Sequence, residues 1–391
     1  MRDVFIVESL RTPFGSFGGS LSDVEAPVLG GTVIKALLEK TGLDPARVDE
    51  VIAGQVLAAG VGQAPARQAM RFAGIPDAAH ALTINKVCGS GLKSIMLGAG
   101  SIMLEDSEVV IAGGMENMSQ APFVLKKARY GYRMGHGEIT DLMIYDGLQD
   151  PYSGRHMGDI SEEAVGRHAL SRQAQDEFTI RSYTLAQEAI RGGIFKDEIV
   201  PVIKKGRGGE VVVAEDEEPF KVDFGKLTAL KPVFRKDGTI TAANASSIND
   251  GAAFTLLAGA DAVRRSNLTP KARIVAYATC SLHPEKYTEA PVGAIQGALA
   301  KAGLKTCEID LFEINEAFAA VAMIAIKELA LDPGKVNVNG GACAIGHPIG
   351  ASGGRLAATV VRELNRRKAR YGLATLCIGG GEAVAVIFER V

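Results

Sequence analysis

One stretch of the chain occurs twice. KTGLDPARVDEVIAGQV (40–56) matches KAGLKTCEIDLFEINEA (301–317) at a constant shift of 261 positions, with Gly42 over Gly303, Leu43 over Leu304, Val48 over Ile309 and Asp49 over Asp310. Upstream, Glu25-Ala-Pro-Val and Glu289-Ala-Pro-Val head the preceding helix in the two copies. Each copy then reads as helix, glycine turn, short apolar strand, glycine-rich turn, helix, strand and a Gly-Gly pair. A unit repeated in this way points to the duplication of one α/β element.

In the first copy Leu92, Ile95, Met96, Ala99, Ile102 and Met103 recur at helical spacing after the turn Cys88-Gly-Ser-Gly91, and VVIAGG (109–114) follows as a buried strand. In the second, Leu356, Val360 and Leu364 follow a turn at 350–354, and LATLCIGGG (373–381) is the matching strand. Helices alternating with short apolar strands predict a parallel or mixed sheet covered on both faces. Between the copies the character changes to polar turns, an amphipathic stretch near 171–189 and a β-like VVVAEDEE segment. The expected division is 1–118 with 250–270 as an N-terminal half, 119–249 as an inserted loop domain, and 271–391 as a C-terminal half. Loops laid over a rigid scaffold are where substrate contacts concentrate.

The 46 glycines cluster at Gly113-Gly114, Gly340-Gly341 and Gly379-Gly380-Gly381, which implies tight turns and close backbone approach. No three-residue period runs through them, so the chain is not collagen-like. A formal net charge of −2 gives no basic field for nucleic acid. The basic stretch RELNRRKAR (362–370) reads as the solvated face of a helix, and the acidic run Glu215 to Glu218 as an exposed loop. No apolar run nears the ~20 residues that span a bilayer, so no membrane association is expected, and VFIVESL near the N-terminus is strand-like rather than a secretory leader. The expected compartment is the cytoplasm, where five cysteines without a C-x-x-C pair stay as thiols available for chemistry.

At the shift of 261, Cys88 falls on Ile349, two residues after His347. A cysteine and a histidine therefore stand at the turns before equivalent helices, and pseudo-twofold packing of the halves would make those helix starts converge. The partial positive charge of a helix N-terminus lowers a thiol pKa from its free value of roughly 8.5. A nearby histidine accepts the thiol proton. Singly, each residue has a plainer reading, as a small core thiol or a structural imidazole; their pairing at duplicated turns favours chemistry. Cys280 and Cys307 have no such setting and read as structural. Cys377 ends LATLCI beside the three glycines, whose exposed N–H groups suit a developing oxyanion. Asn315 and Glu316 follow the strand DLFEI, where polar side chains face a cleft or cap a helix. His156, Asp159, Glu162, Glu163 and His168 match no metal-binding spacing, so no metal is expected. The 350–354 cluster lacks the Lys-Ser/Thr ending of a phosphate loop.

VCGSGLKS (87–94), NEAFA (315–319), GGACAIGHPIGASGG (340–354) and CIGGG (377–381), in this order, resemble the signature blocks of the thiolase family. RTPFG (11–15), AGGMENMS (112–119), FKDEIVPV (195–202) and NASSINDGAA (244–253) add to a likeness that runs essentially the whole chain. The resemblance implies the thiolase fold, two duplicated α/β halves in a five-layer α-β-α-β-α sandwich with a loop domain over the active site. It implies that Cys88 is the nucleophile that becomes acylated and that His347 activates it. Cys377 would exchange a proton with the α-carbon of the second acyl-CoA or with the departing one. Two oxyanion holes are implied, one from His347 and a water held by Asn315, the other from the backbone N–H groups of Cys88 and Gly379. By the same resemblance Ser246 would contact the pantetheine arm, and Met157, Phe318 and Tyr287 would line the acyl end. His156-Met157-Gly158 is similar to the form found in members that act on acetoacetyl-CoA. The implied reaction is reversible Claisen condensation and thiolysis of short acyl-CoA thioesters by a ping-pong acyl-cysteine route. Coenzyme A would be a substrate, no separate cofactor is called for, and a homodimer or homotetramer is the implied assembly, with Tyr130 to Asp141 as a tetramer contact.

The chain also departs from the family pattern. Pro219-Phe220-Lys221 stands where an Arg-Pro step is frequent, which leaves Lys221 as the candidate contact for the CoA phosphate. Tyr287 stands where Met is common, Glu382-Ala383 where Met-Gly or Gln-Gly is usual, and Cys343 where an aliphatic residue is typical. Three alternatives compete: a broad or long-chain 3-ketoacyl-CoA thiolase of β-oxidation, a non-catalytic thiolase-like lipid-binding or scaffold protein, and a decarboxylating relative of the ketosynthases. The second is disfavoured because Cys88, His347 and Cys377 are all present, and the third by the second cysteine, Cys377. Acyl chain length and the direction of the reaction in the cell are not encoded in these motifs.

Overall fold

The computed structural model describes residues 2–206 and 208–391. The first copy of the repeat contributes β1 (Val4–Arg11), α1 (Ala26–Thr41), β2 (Glu50–Gly54), α2 (Pro65–Phe72), β3 (His80–Ile84), α3 (Ser90–Met103) and β4 (Val109–Asn117). An insertion follows, built around α4 (Met157–Arg167), α5 (Arg172–Arg191) and a hairpin of β5 (Val202–Gly206) and β6 (Gly209–Val213). The chain then returns through β7 (Asn249–Gly259). The second copy contains β8 (Ala272–Ser281), α6 (Ala290–Ala302), β9 (Leu311–Ile314), α7 (Ala319–Glu328), α8 (Ser352–Arg367), β10 (Tyr371–Ile378) and β11 (Glu382–Arg390).

Strands run in the order β3-β2-β4-β7-β1 in one half and β8-β11-β10-β9 in the other. The two sets join through a two-residue contact of β1 with β8, Phe5 opposite Arg273 and Ile6 opposite Ala272. The pairs β2–β3, β2–β4 and β9–β10 are parallel and the remainder antiparallel, so the sheet is mixed, as the sequence predicts.

Alternation along the strands explains the layers, because successive side chains point to opposite faces. On β4, Val109 and Ile111 pack with Leu29, Val33 and Leu37 of α1, while Val110 and Ala112 pack with Leu92, Ile95 and Leu356 of α3 and α8. On β11, Val384, Val386 and Phe388 face that same central helix pair, and Ala383, Ala385 and Ile387 face Ala294, Ile295 and Ala298 of α6. Helices therefore lie outside each sheet and between the two, which gives the α-β-α-β-α sandwich. Both faces of these strands are buried, which accounts for their near-continuous apolar composition.

The shift of 261 is realised at β2 and β9, and at the 3₁₀ turns 45–47 and 306–308. The helix before each turn ends on a left-handed glycine, Gly42 and Gly303, both at φ 66°. Further on the offset becomes 262, with Ser90 and Ser352 starting the central helices and Val109 and Tyr371 starting the next strands. Cys88 thus aligns with Gly350, one residue beyond the Ile349 expected from sequence. The central helices meet backbone to backbone at their N-termini. A Cβ on Gly91 would lie 2.8 Å from the Gly354 nitrogen, and one on Gly353 would lie 2.1 Å from the Leu92 nitrogen. Only glycines permit this approach, and it brings the turns that carry Cys88 and His347 together.

The acidic run is not the exposed loop expected from its composition. Asp216 is buried and receives Nη1 and Nη2 of the buried Arg11 at 2.6 and 2.8 Å, while Arg11 Nε reaches Glu198 at 2.7 Å. Asp216 also accepts the Phe14 N–H, and Glu217 accepts that of Ser20. Two carboxylates of the insertion therefore close on one guanidinium at the end of β1, a geometry in which a buried charge is compensated. The basic stretch at the end of α8 is exposed at Arg366, Arg367, Lys368 and Arg370, but Glu363 and Leu364 within it are buried. No helix among the described residues is long and apolar enough to cross a membrane.

Candidate active site

The turn that carries Cys88 is held in an unusual backbone conformation. Val87 has φ 46°, a left-handed value that a β-branched residue rarely adopts. The Val87 N–H donates to Asn85 Oδ1 at 2.9 Å. The Ser90 hydroxyl donates to the Val87 carbonyl at 2.6 Å and accepts the Lys86 N–H at 2.8 Å. These bonds compensate the strain and place Cys88 at the entrance to α3. Burial pushes the Cys88 thiol up to about 11, against the pull of the N–H groups of Gly379 and of Cys88 itself. The expectation of a lowered thiol pKa is thus corrected for the unliganded site: the helix start supplies its donors, but desolvation outweighs them.

His347 sits across from this turn, 5 % exposed. Its Nδ1 lies 2.5 Å from Ser352 Oγ, and the Ser352 hydroxyl donates to the Pro348 carbonyl at 2.9 Å. Having used its proton, Ser352 accepts from Nδ1–H, so the free lone pair of the imidazole is on Nε2. Asn315 Nδ2 stands 3.4 Å from that Nε2. Burial, reinforced by Arg355, lowers the His347 pKa to about 3, so the ring is neutral at rest. Asn315 Oδ1 is buried with no hydrogen-bond partner among the described residues, an acceptor that calls for a donor.

Cys377 ends β10 and is fully buried, its thiol held well above the ordinary range by burial and by Cys88. Cys88, His347, Cys377 and Gly379 all line one cavity of about 280 Å³, together with Met157, Phe318, Tyr287, Ser246 and His156. The structure therefore brings together the residues singled out in the sequence, with Asn315 against the His347 ring. Lys221 lies apart, its ammonium on Ser16 Oγ and Glu218. The cavity wall also includes Met118, Leu148, Phe234, Ile248 and Ile349. Sequence reading did not single these out, because single apolar residues in loops carry no periodic signal. Ser352 was also missed, although its place five residues after His347 on a helix start was a usable clue.

Two walls of the cavity are locked. The Tyr287 hydroxyl donates to the Met157 carbonyl at 2.9 Å and lies 2.5 Å from Ser161 Oγ, which then donates to it. His156 caps α4, its Nδ1 accepting the Gly158 N–H at 3.0 Å, and its ring stacks on Phe234 at 4.8 Å between centroids. The carboxylates near His156 have other partners: Asp159 and Glu163 pair with Arg155 and Arg235, and Glu162 accepts the Ile240 N–H. Among the described residues no group of three or more His, Cys, Asp or Glu is placed to hold a metal ion.

Known proteins resemble the chain along essentially its whole length. The family model "Thiolase, N-terminal domain" matches residues 4–261, and "Thiolase, C-terminal domain" matches 268–390. The chain is 50% identical to an acetyl-CoA acetyltransferase of Cupriavidus necator and 51% identical to one of Pseudomonas aeruginosa, in each case over 100% of both chains. It superposes on the crystal structure of the Bacillus anthracis acetyl-CoA acetyltransferase with a TM-score of 0.98 at 42% identity, covering 100% of this chain and 99% of that one.

Proposed function

The chain belongs to the thiolase family, and from that premise we propose that it catalyses reversible condensation of two acetyl-CoA to acetoacetyl-CoA and free coenzyme A. The observation that carries this reading is the convergence of two thiols on one neutral imidazole inside a single apolar cavity. Relatives matched over their full length are named acetyl-CoA acetyltransferase, which supports the short acyl substrate.

The proton inventory closes on these groups. Cys88 gives its proton to His347 Nε2 as its sulfur attacks the thioester carbon, and the oxyanion meets the N–H groups of Cys88 and Gly379, both of which act on that sulfur. The departing CoA thiolate takes a proton from Cys377, which becomes the thiolate. A second acetyl-CoA then loses its α-proton to Cys377. Its enolate oxygen is met by Nε2–H of His347, now an imidazolium, and by a water oriented by Asn315 Oδ1. The enolate carbon attacks the acyl group on Cys88, and the sulfur leaves with the proton held by His347. Every group is returned to its starting state. Because both thiols and the imidazole are neutral at rest, charge is created only once substrate is present.

Met157, Phe318 and Tyr287 line the cavity and are themselves buried, which supports the reading that they bound the acyl group and favour a short chain. The exposed apolar residues Tyr130, Met134 and Ile139 support self-association through the insertion. The test is steady-state thiolysis across 3-ketoacyl-CoA chain lengths, with mass spectrometry of the Cys88 peptide. Turnover of acetoacetyl-CoA with an acylated Cys88 is expected. Equal kcat/KM for an eight-carbon substrate would overturn the short-chain reading.

A further inference from the structure

Glu116, at the end of β4, is fully buried and, among the described residues, pairs with no arginine or lysine. Its carboxylate instead accepts three backbone N–H groups from two parts of the molecule. Leu57 donates to Oε1 at 3.0 Å and Val56 to Oε2 at 3.0 Å, both from the turn after β2 in the N-terminal half. Gly350 donates to the same Oε2 at 2.9 Å, from the turn that runs from His347 into α8. An apolar residue here would leave three buried donors unsatisfied. An amide would match only one of the two oxygens, turning its NH₂ toward a donor at the other. The geometry calls for a carboxylate.

The Gly350 turn is seated tightly. A Cβ on Gly350 would meet Glu116 Oε2 at 2.7 Å, and one on Gly114 would meet the Gly350 carbonyl at 2.0 Å. Ile349, next to Gly350, packs with Val56, Leu57, Met118 and Cys88 and lines the catalytic cavity. The segment bonded by Glu116 therefore spans the two walls between which Cys88 and His347 face each other.

On the functional reading above, we propose that Glu116 is a positioning residue: it fixes the register of the His347 turn against the nucleophile's half, so that Nε2 is aimed at the Cys88 sulfur. Its contribution is to kcat rather than to substrate affinity, since it lies behind the cavity wall and touches no substrate. It acts through the same imidazole as Ser352, by way of the Gly350 N–H rather than the ring.

The test uses the full chain and four proteins: wild type, Glu116→Gln, Ser352→Ala and the double variant. Thiolysis of acetoacetyl-CoA is measured with CoA as co-substrate, alongside thermal melts. Glu116→Gln is expected to lower kcat by about 10–100-fold, the range for hydrogen bonds that orient a functional histidine, with KM within threefold. The double variant is expected to be about as slow as the slower single variant, because residues acting through one group are not additive. A folded Glu116→Gln protein with kcat within twofold of wild type overturns the proposal, and so does a double variant whose losses multiply. If the Gln variant does not fold, Glu116→Asp, which keeps the charge one methylene short of its donors, is judged by the same two criteria. Absence of any thiolysis by wild type would instead overturn the functional reading itself.

Discussion

The hairpin β10–β11 of the C-terminal half turns within Gly379-Gly380-Gly381, and the first of these glycines directs its N–H at Cys88. The equivalent hairpin of the N-terminal half, β4–β7, pairs Asn117 with Asp250 and then opens, and residues 118–248 fill the place of that turn. From the opened hairpin come His156, Met157, Leu148, Phe234 and Ser246, which line the cavity but carry no thiol. From the closed one come Cys377 and Gly379. The two turns thus differ in what they bring to the cavity: the short one supplies a thiol and a backbone N–H, and the long one supplies much of the wall. They meet at one cavity from different halves of the pseudo-symmetric pair.

Removing a thiol from each half is the strongest way to break that comparison. Cys88→Ala should abolish both turnover and the acyl-peptide. Cys377→Ala should lower kcat by about 10²–10⁴-fold, the span of a positioned acid/base, yet still trap an acyl group on Cys88 when incubated with acetyl-CoA. Mass spectrometry of the Cys88 peptide separates the two. An unacylated Cys88 in the Cys377 variant would place both thiols in one step and erase the division of labour.

The insertion can be loosened without touching the chemistry. Asp216→Ala leaves the buried Arg11 guanidinium with Glu198 alone, which should cost about 3–5 kcal/mol in a urea melt. Activity of the protein that remains folded should be unchanged, because neither residue lines the cavity. A cost below about 1 kcal/mol would mean that the insertion is held by its apolar contacts instead. A smaller effect is expected within the C-terminal half. Ser352→Ala frees the His347 ring to adopt either tautomer, and kcat should fall by about tenfold with KM for acetoacetyl-CoA nearly constant. A change confined to KM would show that Ser352 serves the pocket rather than the imidazole.

What could be read from sequence follows the range of the forces involved. Gly42 and Gly303 were legible because a helix that ends on a left-handed residue most often takes glycine there, a local preference. Cys88 and His347 were legible as a pair because the duplication placed them at equivalent turns. The alignment of Cys88 with Gly350 rather than Ile349 was not, since one residue is gained between β2 and the central helix where the copies no longer resemble each other. Asp216 misled because its neighbours are acidic, whereas its partner Arg11 lies 205 positions away. The direction of the Cys88 pKa was missed for a similar reason: the helix start is local, but the burial that outweighs it comes from the packed halves. The imidazole tautomer set by Ser352 depends on ring orientation, which no spacing rule specifies.

The finest prediction lies on the seam between the two regions, at a wall they share. Tyr287 belongs to the C-terminal half, but its hydroxyl is held by Ser161 and by the Met157 carbonyl, both from the insertion. The ring is 2 % exposed and lines the cavity together with Cys88 and Cys377. Tyr287→Met replaces a fixed plane by a flexible side chain. A methylene-sized change of room in an apolar pocket is worth about 1–3 kcal/mol, so kcat/KM for a six-carbon 3-ketoacyl-CoA relative to acetoacetyl-CoA should rise about tenfold. Ser161→Ala removes one of the two anchors while leaving the ring's volume, and should raise the same ratio by only about twofold. If Ser161→Ala matches Tyr287→Met, the insertion controls chain length by holding the ring. If Tyr287→Met leaves the ratio unchanged, the end of the pocket is set by Met157 and Phe318 instead, and enclosure belongs to both halves rather than to the opened hairpin.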